Sequence, residues 1–326
     1  MKFSVVSLGL MAVSALAAPM PSQIISKRAC LTKRAASLED VATVGFATQG
    51  DGTSGGKGGK TVEVASLSEL TAAVKGDDAA IVLITGPIQG NAEQVRIGSN
   101  KSVIGKDSSA VLTNVQLRVK DVKNVIIRNL VITKVVGADA IGIQKSSNVW
   151  VDHVDLSSDK DHDKDYYDGL IDITHAADFI TISDSFMHDH YKSSLVGHSD
   201  NNAAEDKGHL TVTYAKNHWK NINSRGPSFR FGTGHIFNNY YENVLDGINT
   251  RQGAQVLVEN NVFIGSKKAL FSTDEGFAVA NGNIFGDSQN TAPKGTLTKA
   301  PYEVTLLPAD AVKEAVVGSA GATLKF

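Results

Sequence analysis

The sequence predicts an all-β chain, a right-handed parallel β-helix (solenoid) closed by a short N-terminal capping helix. Three observations carry that expectation. Asn217, Asn239, Asn261 and Asn283 recur at one constant interval, each closing a short apolar stretch. A fixed period in the twenties marks stacked repeats, each unit burying its face only against its neighbours. Residues 125–129, 149–153 and 180–184 alternate Val and Ile with polar residues, which argues strands rather than helices. A leucine-rich repeat has a similar period, but its leucine framework is missing. A coil of about 22 residues holds three short strands and their turns. Asparagines in one phase can then form an amide ladder at the roughly 4.8 Å spacing of adjacent strands.

Extended upstream through residues 103–107, the pattern gives markers at 107, 129, 153, 184, 217, 239, 261 and 283. The first and last intervals are equal, and those between 129 and 217 are longer, the two that flank 184 most of all. The ends fit a solenoid. Ser66-Leu67-Ser68-Glu69 reads as a capping box, and Leu67, Leu70 and Val74 supply the apolar stripe of a helix that plugs the open end. After Pro301 a helical segment near residues 309–317 is expected to pack along the outside. Residues 35–326 read as a single domain.

Lys2 followed by the apolar run 5–16 and Ala15-Leu16-Ala17 reads as a secretory signal peptide over residues 1–17. It is too short for a membrane span. The dibasic pairs Lys27-Arg28 and Lys33-Arg34 mark residues 18–34 as a propeptide, so the mature chain starts near Ala35 and loses Cys30, the single cysteine. A secreted, extracellular monomer without disulfides must then rely on a large core. No membrane or nucleic-acid partner is expected. The net charge of −2 does not select a partner, so anion binding has to come from a local patch.

Several motif matches carry little. Gly50-Asp51-Gly52-Thr53-Ser54-Gly55 fits the dinucleotide glycine pattern, but more glycines follow instead of a helix, and it reads as a flexible loop. Gly59-Lys60-Thr61 lacks the upstream glycine of a phosphate loop. Asp159, Asp161 and Asp163 resemble a calcium loop, but Lys164 and Leu170 replace its glycine and glutamate. His188 and His190 have no evident third zinc ligand. Trp150, Asp152 and His153 alternate with Val149 and Val151 and read as structural, and Arg251 as a brace. Asn100-Lys101-Ser102 is a glycosylation sequon.

The ladder also phases the charged residues. Lys192 follows Asp184 at the same offset at which Arg225 follows Asn217, one phase on neighbouring coils. Counted back from the next marker, Asp139 before His153 shares that phase, and Asp168 and Asp172 before Asp184 straddle it. Arg230 before Asn239 stands a little further along. All six are expected on one flank, four on the three longest coils and Arg225 and Arg230 on the next. Clustered like charges repel unless something opposite lies between them. The aspartates are hard oxygen ligands acceptable to calcium, and Lys192, Arg225 and Arg230 suit an anion. The competing reading is three internal salt bridges that tie loops to the solenoid.

The segments 149–153, 168–172, 190–197, 225–232 and 235–239, with the stretch 249–263, resemble the extracellular pectate lyases over residues 60–310, and the prosegment resembles a fungal member. The Arg-x-Pro-x-x-Arg segment at 225–230 and the Asp-x-x-x-Asp segment at 168–172 are its most specific parts. The resemblance implies calcium-dependent β-elimination of polygalacturonate. It places the calcium ligands on Asp139, Asp168 and Asp172, the catalytic arginine on Arg225 and substrate-binding cations on Lys192 and Arg230. Gly137 stands where some members carry a further acidic ligand. Arg225 as a base requires a neutral guanidine, and Lys192 with calcium is expected to lower its pKa. A lyase of methyl-esterified pectin would replace the aspartates. A hydrolase needs carboxylates flanking the glycosidic oxygen. A non-catalytic sugar-binding solenoid would bind without forming product.

Overall fold

Ten parallel strands stack into one sheet, from Lys60–Val64 and Ala80–Ile84 to Gln255–Glu259 and Phe277–Asn281. The computed structural model describes Met1 and residues 35–326. The leader, the prosegment and Cys30 lie outside the described residues. Lys101 pairs with Val125, Val125 with Val149, Val149 with Ile180 and Ile180 with Val212. Gly234, Val256 and Ala278 then follow at the constant period. Two further faces are joined through the long strand Val111–Lys120. Its first half pairs with Val131–Thr133 and its second half with Ile141–Gln144. Each coil of this parallel β-solenoid thus contributes up to three strands.

Alternation decides what is inside. Val125, Ile127, Val149, Val151, Ile180 and Ile182 point inward and are buried. Their neighbours Ile126, Trp150, Thr181 and Thr213 face outward, where the N-terminal segment covers them. Phe46 donates its N–H to Thr213 Oγ1 (3.0 Å), and Ala47 donates to Thr181 Oγ1 (2.9 Å). The glycine-rich stretch, read as a flexible loop, is instead laid against this sheet. Gly56 N–H donates to Ser102 Oγ (2.9 Å), and a Cβ there would come 1.9 Å from the Ala80 carbonyl oxygen. The glycine is needed for close backbone approach.

The asparagine ladder is present and buried. Asn239 Oδ1 accepts from both the backbone N–H (2.9 Å) and the Nδ2 (3.0 Å) of Asn217. Asn261 does the same for Asn239, and Asn283 for Asn261, at 2.9 Å throughout. Upstream the register corrects the markers. Ser183 pairs with Ala215, so Asp184 lies beside Lys216, and the ladder continues to Ser185, whose N–H donates to Asn217 Oδ1 (3.0 Å). Ile104 pairs with Arg128, so Gly105 rather than Asp107 lies beside Asn129. Residues 129, 153, 184, 216, 238 and 260 form the adjacent column, a corner turned in the left-handed region with φ from 45° to 56°. Asparagine and aspartate tolerate that conformation better than most residues, which is why they punctuate the repeat.

The C-terminal segment runs back along this corner. Leu307 exchanges hydrogen bonds with the side chain of Asn238 (2.9 Å each way), Gly321 N–H donates to the Asp184 carbonyl (2.9 Å), and Leu324 N–H donates to Asn129 Oδ1 (2.9 Å). Between them the helix Ala309–Val316 packs Val312 and Val316 on Tyr240 and Val262. At the other end the helix Leu67–Ala73 is capped by Ser66 Oγ, which accepts from Glu69 N–H (3.3 Å), and Leu70 and Val74 are buried over the first coils. Glu69 reaches back to Ala65 N–H rather than Ser66 N–H, a box displaced by one residue. The sequon asparagine donates its Nδ2 to the Asp77 carbonyl (2.9 Å). A glycan there would displace that bond.

Asn239→Ala removes one acceptor, strips the partner from the buried Asn217 N–H and is expected to cost about 2–4 kcal/mol. Asn283→Ala, at the half-exposed end of the ladder, is expected to cost about 1 kcal/mol. Urea midpoints for the two variants check the ranking; equal losses would contradict it.

Candidate active site

The third face builds an outward row. Register places Arg118, Gly142, Asp172, Leu195 and Ser228 side by side on successive coils. Asp139 and Asp168 sit in the turns that enter Ile141–Gln144 and Ile171–Thr174. Arg225 follows His218–Ser224 and leads into Ser228–Arg230. A cleft of about 330 Å³ opens over this row, lined by Asp139, Asp168, Asp172 and Arg225, together with Arg118 and His198.

Gly169 shows how close the acids are. Its N–H donates to Asp139 Oδ1 (3.0 Å), and a Cβ on it would lie 2.8 Å from both Asp139 Oδ1 and Asp172 Oδ1. The two carboxylates therefore converge over one backbone position that no side chain can occupy. The electrostatics record the crowding. Burial, then the charge of Asp168, pushes Asp139 up to about 6. Burial, then the charge of Asp139, holds Asp172 well above the usual carboxylate range, with Arg225 working against that rise. Arg225 Nη1 lies 3.9 Å from Asp172 Oδ2. Hard oxygen donors crowded at an open cleft suit a calcium ion, whose sphere water or an anionic ligand can complete.

The cations divide. Lys192 pairs in register with Ser224, one residue short of Arg225, the same slip that separates Asp184 from Asn217. Its Nζ lies 3.0 Å from both Asp165 and Asp168, which joins it to the acid cluster. Burial lowers the Lys192 pKa, but its hydrogen bonds to Asp165 and Asp168 outweigh that and hold it above the ordinary value. Arg230 lies two residues beyond the row. Its Nε is held by Asp200 (2.5 Å) and its Nη1 donates to the Gly197 carbonyl (3.1 Å). Asp200 also takes Arg251 Nη2 (3.1 Å), which Asp274 holds from the other side (2.7 Å). The structure brings together five of the six expected residues and sets Arg230 at the next position along the face.

Arg225 has φ 63°. Left-handed corners recur throughout this fold, so the angle alone marks nothing. An arginine there is nevertheless costlier than the asparagines that fill most of them.

Among the described residues, a trio with ligand atoms all within 4.8 Å of one another is Asp152, His153 and Asp184, at the opposite corner. Asp152 there accepts from Arg128 Nε (2.8 Å) and Ser183 Oγ (2.7 Å) and pairs with His153 Nδ1 (2.8 Å). Arg128 in turn reaches Asp40 (2.9 Å) and stacks on Trp150 and Phe326. This network ties both terminal segments to the solenoid. His188 is clamped between Asp155 and Asp189, whereas His190 is buried and accepts from Lys192 N–H, so the two do not share a ligand. Asp159 is occupied by Lys134, His162 and Tyr167.

Four site residues were missed from sequence: Arg118, Asp165, His198 and Asp200. Only Arg118 had a clear signal, the alternation Val115-Gln116-Leu117-Arg118-Val119-Lys120 of a strand with one polar face. The others lie in the insertions of the long coils, where no period applies.

A family model described as pectate lyase matches residues 13–323. A curated relative, "Probable pectate lyase A" of Aspergillus niger, is 58% identical over all of this chain and 99% of its own length. "Probable pectate lyase A" of Aspergillus fumigatus is 60% identical, covering 96% of this chain and 97% of its own. Among solved structures, the pectate lyase Bsp165PelA from Bacillus sp. N165, in complex with trigalacturonate, superposes with a TM-score of 0.78 at 28% identity. The match covers 86% of this chain and 98% of that one. With the solenoid and the acidic cleft in place, these matches make the chain a member of the pectate lyase family.

Proposed function

We propose that this protein is a calcium-dependent lyase that cleaves de-esterified polygalacturonate by β-elimination, giving unsaturated oligogalacturonides. The observation that carries the reading is the convergence of Asp139 and Asp172 over Gly169, with Arg225 3.9 Å from Asp172. The relatives' names support it, as does the trigalacturonate held by the Bacillus structure.

Asp139, Asp168 and Asp172 would hold the ion, and Gly137 leaves a coordination position to water or substrate. Calcium supplies Lewis acidity toward the uronate carboxylate on which charge builds. Arg225 takes the C5 proton on a guanidine nitrogen. The C5–H electrons form the C4–C5 double bond, the C4–O bond breaks, and the leaving oxygen takes a proton. Arg225 must be neutral to accept the C5 proton, which favours alkaline conditions. Asp165 and Asp168 pair with Lys192 and offset much of its charge. Lys192 and Arg230 serve the anionic chain, Arg230 by exchanging Asp200 for a uronate carboxylate.

The domain assignment follows: residues 1–34 are removed and 35–326 act outside the cell. N-terminal sequencing of protein recovered from culture medium should begin near Ala35.

Polygalacturonate should yield ultraviolet-absorbing unsaturated uronides, and a chelator should abolish them reversibly. Reducing ends without absorbance would indicate hydrolysis, and binding without either would indicate a lectin. Arg225→Lys should lower turnover by at least ~100-fold.

The carboxylate cluster also sets a pH signature. Asp139 has a folded pKa near 6, above the unfolded value, so the native state binds more protons between the two and loses stability as pH rises through that window. Asp159 and Glu205, both lowered to about 2, contribute stability that is fully present above their unfolded values, so it does not change as pH rises from about 5 to 7. In chelator at pH 7, Asp139→Asn should therefore be more stable than the wild type by about 1–2 kcal/mol, and the gain should vanish toward pH 4. Calcium should reverse the order. Thermal melts check both signs.

A further inference from the structure

We propose that His198 is a substrate-contacting residue that donates a ring N–H hydrogen bond to an oxygen of the uronate chain, with His175 and Glu205 as the positioning residues that hold it there. This rests on the lyase reading of the cleft and extends it to the opposite wall.

His198 lines the same cleft as Asp172 and Arg225, yet comes from the other end of the strands. Arg225 precedes Ser228–Arg230, whereas His198 follows Ser194–Val196 on the preceding coil. The floor between them is the outward row containing Asp172 and Leu195. A sugar lying on that floor meets the acids and Arg225 along one edge and His198 along the other.

His198 is exposed, and its ring nitrogens make no hydrogen bond among the described residues. An exposed, unbonded side chain is ordinarily free to rotate. This one is stacked on His175, with centroids 4.6 Å apart and planes 27° from parallel. His175 is fixed through Nδ1 to Glu205 (2.7 Å). Glu205 is fixed in turn by Lys145 (3.0 Å) and by Asn202 Nδ2 (3.1 Å). The chain of contacts orders the ring through one face and leaves its nitrogens without a partner among the described residues, on a residue that lines the cleft. Preorganisation of a donor without an internal partner is the arrangement expected of a ligand contact.

The contact is read by kinetics on the full mature enzyme with polygalacturonate and calcium. His198→Ala should raise KM about five- to tenfold, the fold-change of one lost hydrogen bond, with the smaller part of the loss in kcat. His198→Gln keeps an N–H donor without the imidazole and should recover most of the affinity. Glu205→Ala should fall between wild type and His198→Ala. In the slowed Arg225→Lys enzyme, added trigalacturonate should move the His198 side-chain nitrogen resonances. Unchanged KM in His198→Ala, unmoved resonances, or a KM rise that His198→Gln does not rescue would each overturn the inference. Absence of unsaturated product from the wild type would instead overturn the lyase reading itself, so the two failures are distinguishable.

Discussion

Parallel stacking in register is the constraint on which everything else depends. Each coil places its residues directly over those of the last, at the spacing of hydrogen-bonded strands. Whatever a position carries is therefore repeated at short range. For asparagine the repetition is favourable, because an amide both donates and accepts, and each Oδ1 from Asn239 onward takes two hydrogens from the asparagine before it. Aspartates that the stacking brings close without being register partners gain nothing of the kind, because ionised carboxylates only accept; Asp172 pairs with Gly142. Asp139 and Asp172 on successive coils meet with a single backbone glycine between them. The geometry that stabilises one corner thus leaves the other short of positive charge, which the proposed calcium ion would supply.

The scaffold around the cleft is braced on its outer surfaces. The N-terminal segment covers the ten-stranded sheet, the C-terminal tail follows the left-handed corner, and Arg128 joins both through Asp40 and Phe326. These contacts leave the third face open. The long coils, which run from Val149 to Ile180 and from Ile180 to Val212, place their insertions beside it. Those insertions supply Asp165 against Lys192 and Asp200 against Arg230. Both cations are thus carried already paired with carboxylates.

The repeat was legible because coils without insertions keep their phase, and the asparagines from 217 to 283 sit where the period puts them. It slipped by one between Asp184 and Asn217 because an insertion of arbitrary length separates them, and by two at Asp107, where residues 107–110 form a turn. A slip of one exchanges a ladder residue for a corner residue. Asp184 and Asn217 occupy like places in sequence, yet only the second has its side chain in the ladder. The acid cluster survived the error because its residues lie in or beside turns, where one residue changes little. Arg230 was less tolerant: two residues along a strand carry it past the acids. His198 could not be read at all, since the role proposed for it depends on stacking against His175, which follows the neighbouring strand.

The most direct test is a crystal structure of the Arg225→Lys protein with calcium and trigalacturonate. The account predicts an ion about 2.3–2.6 Å from oxygens of Asp139, Asp168 and Asp172, with a uronate carboxylate completing its sphere. An ion at Asp152, His153 and Asp184 instead, or a saccharide bound away from the acids, would contradict it.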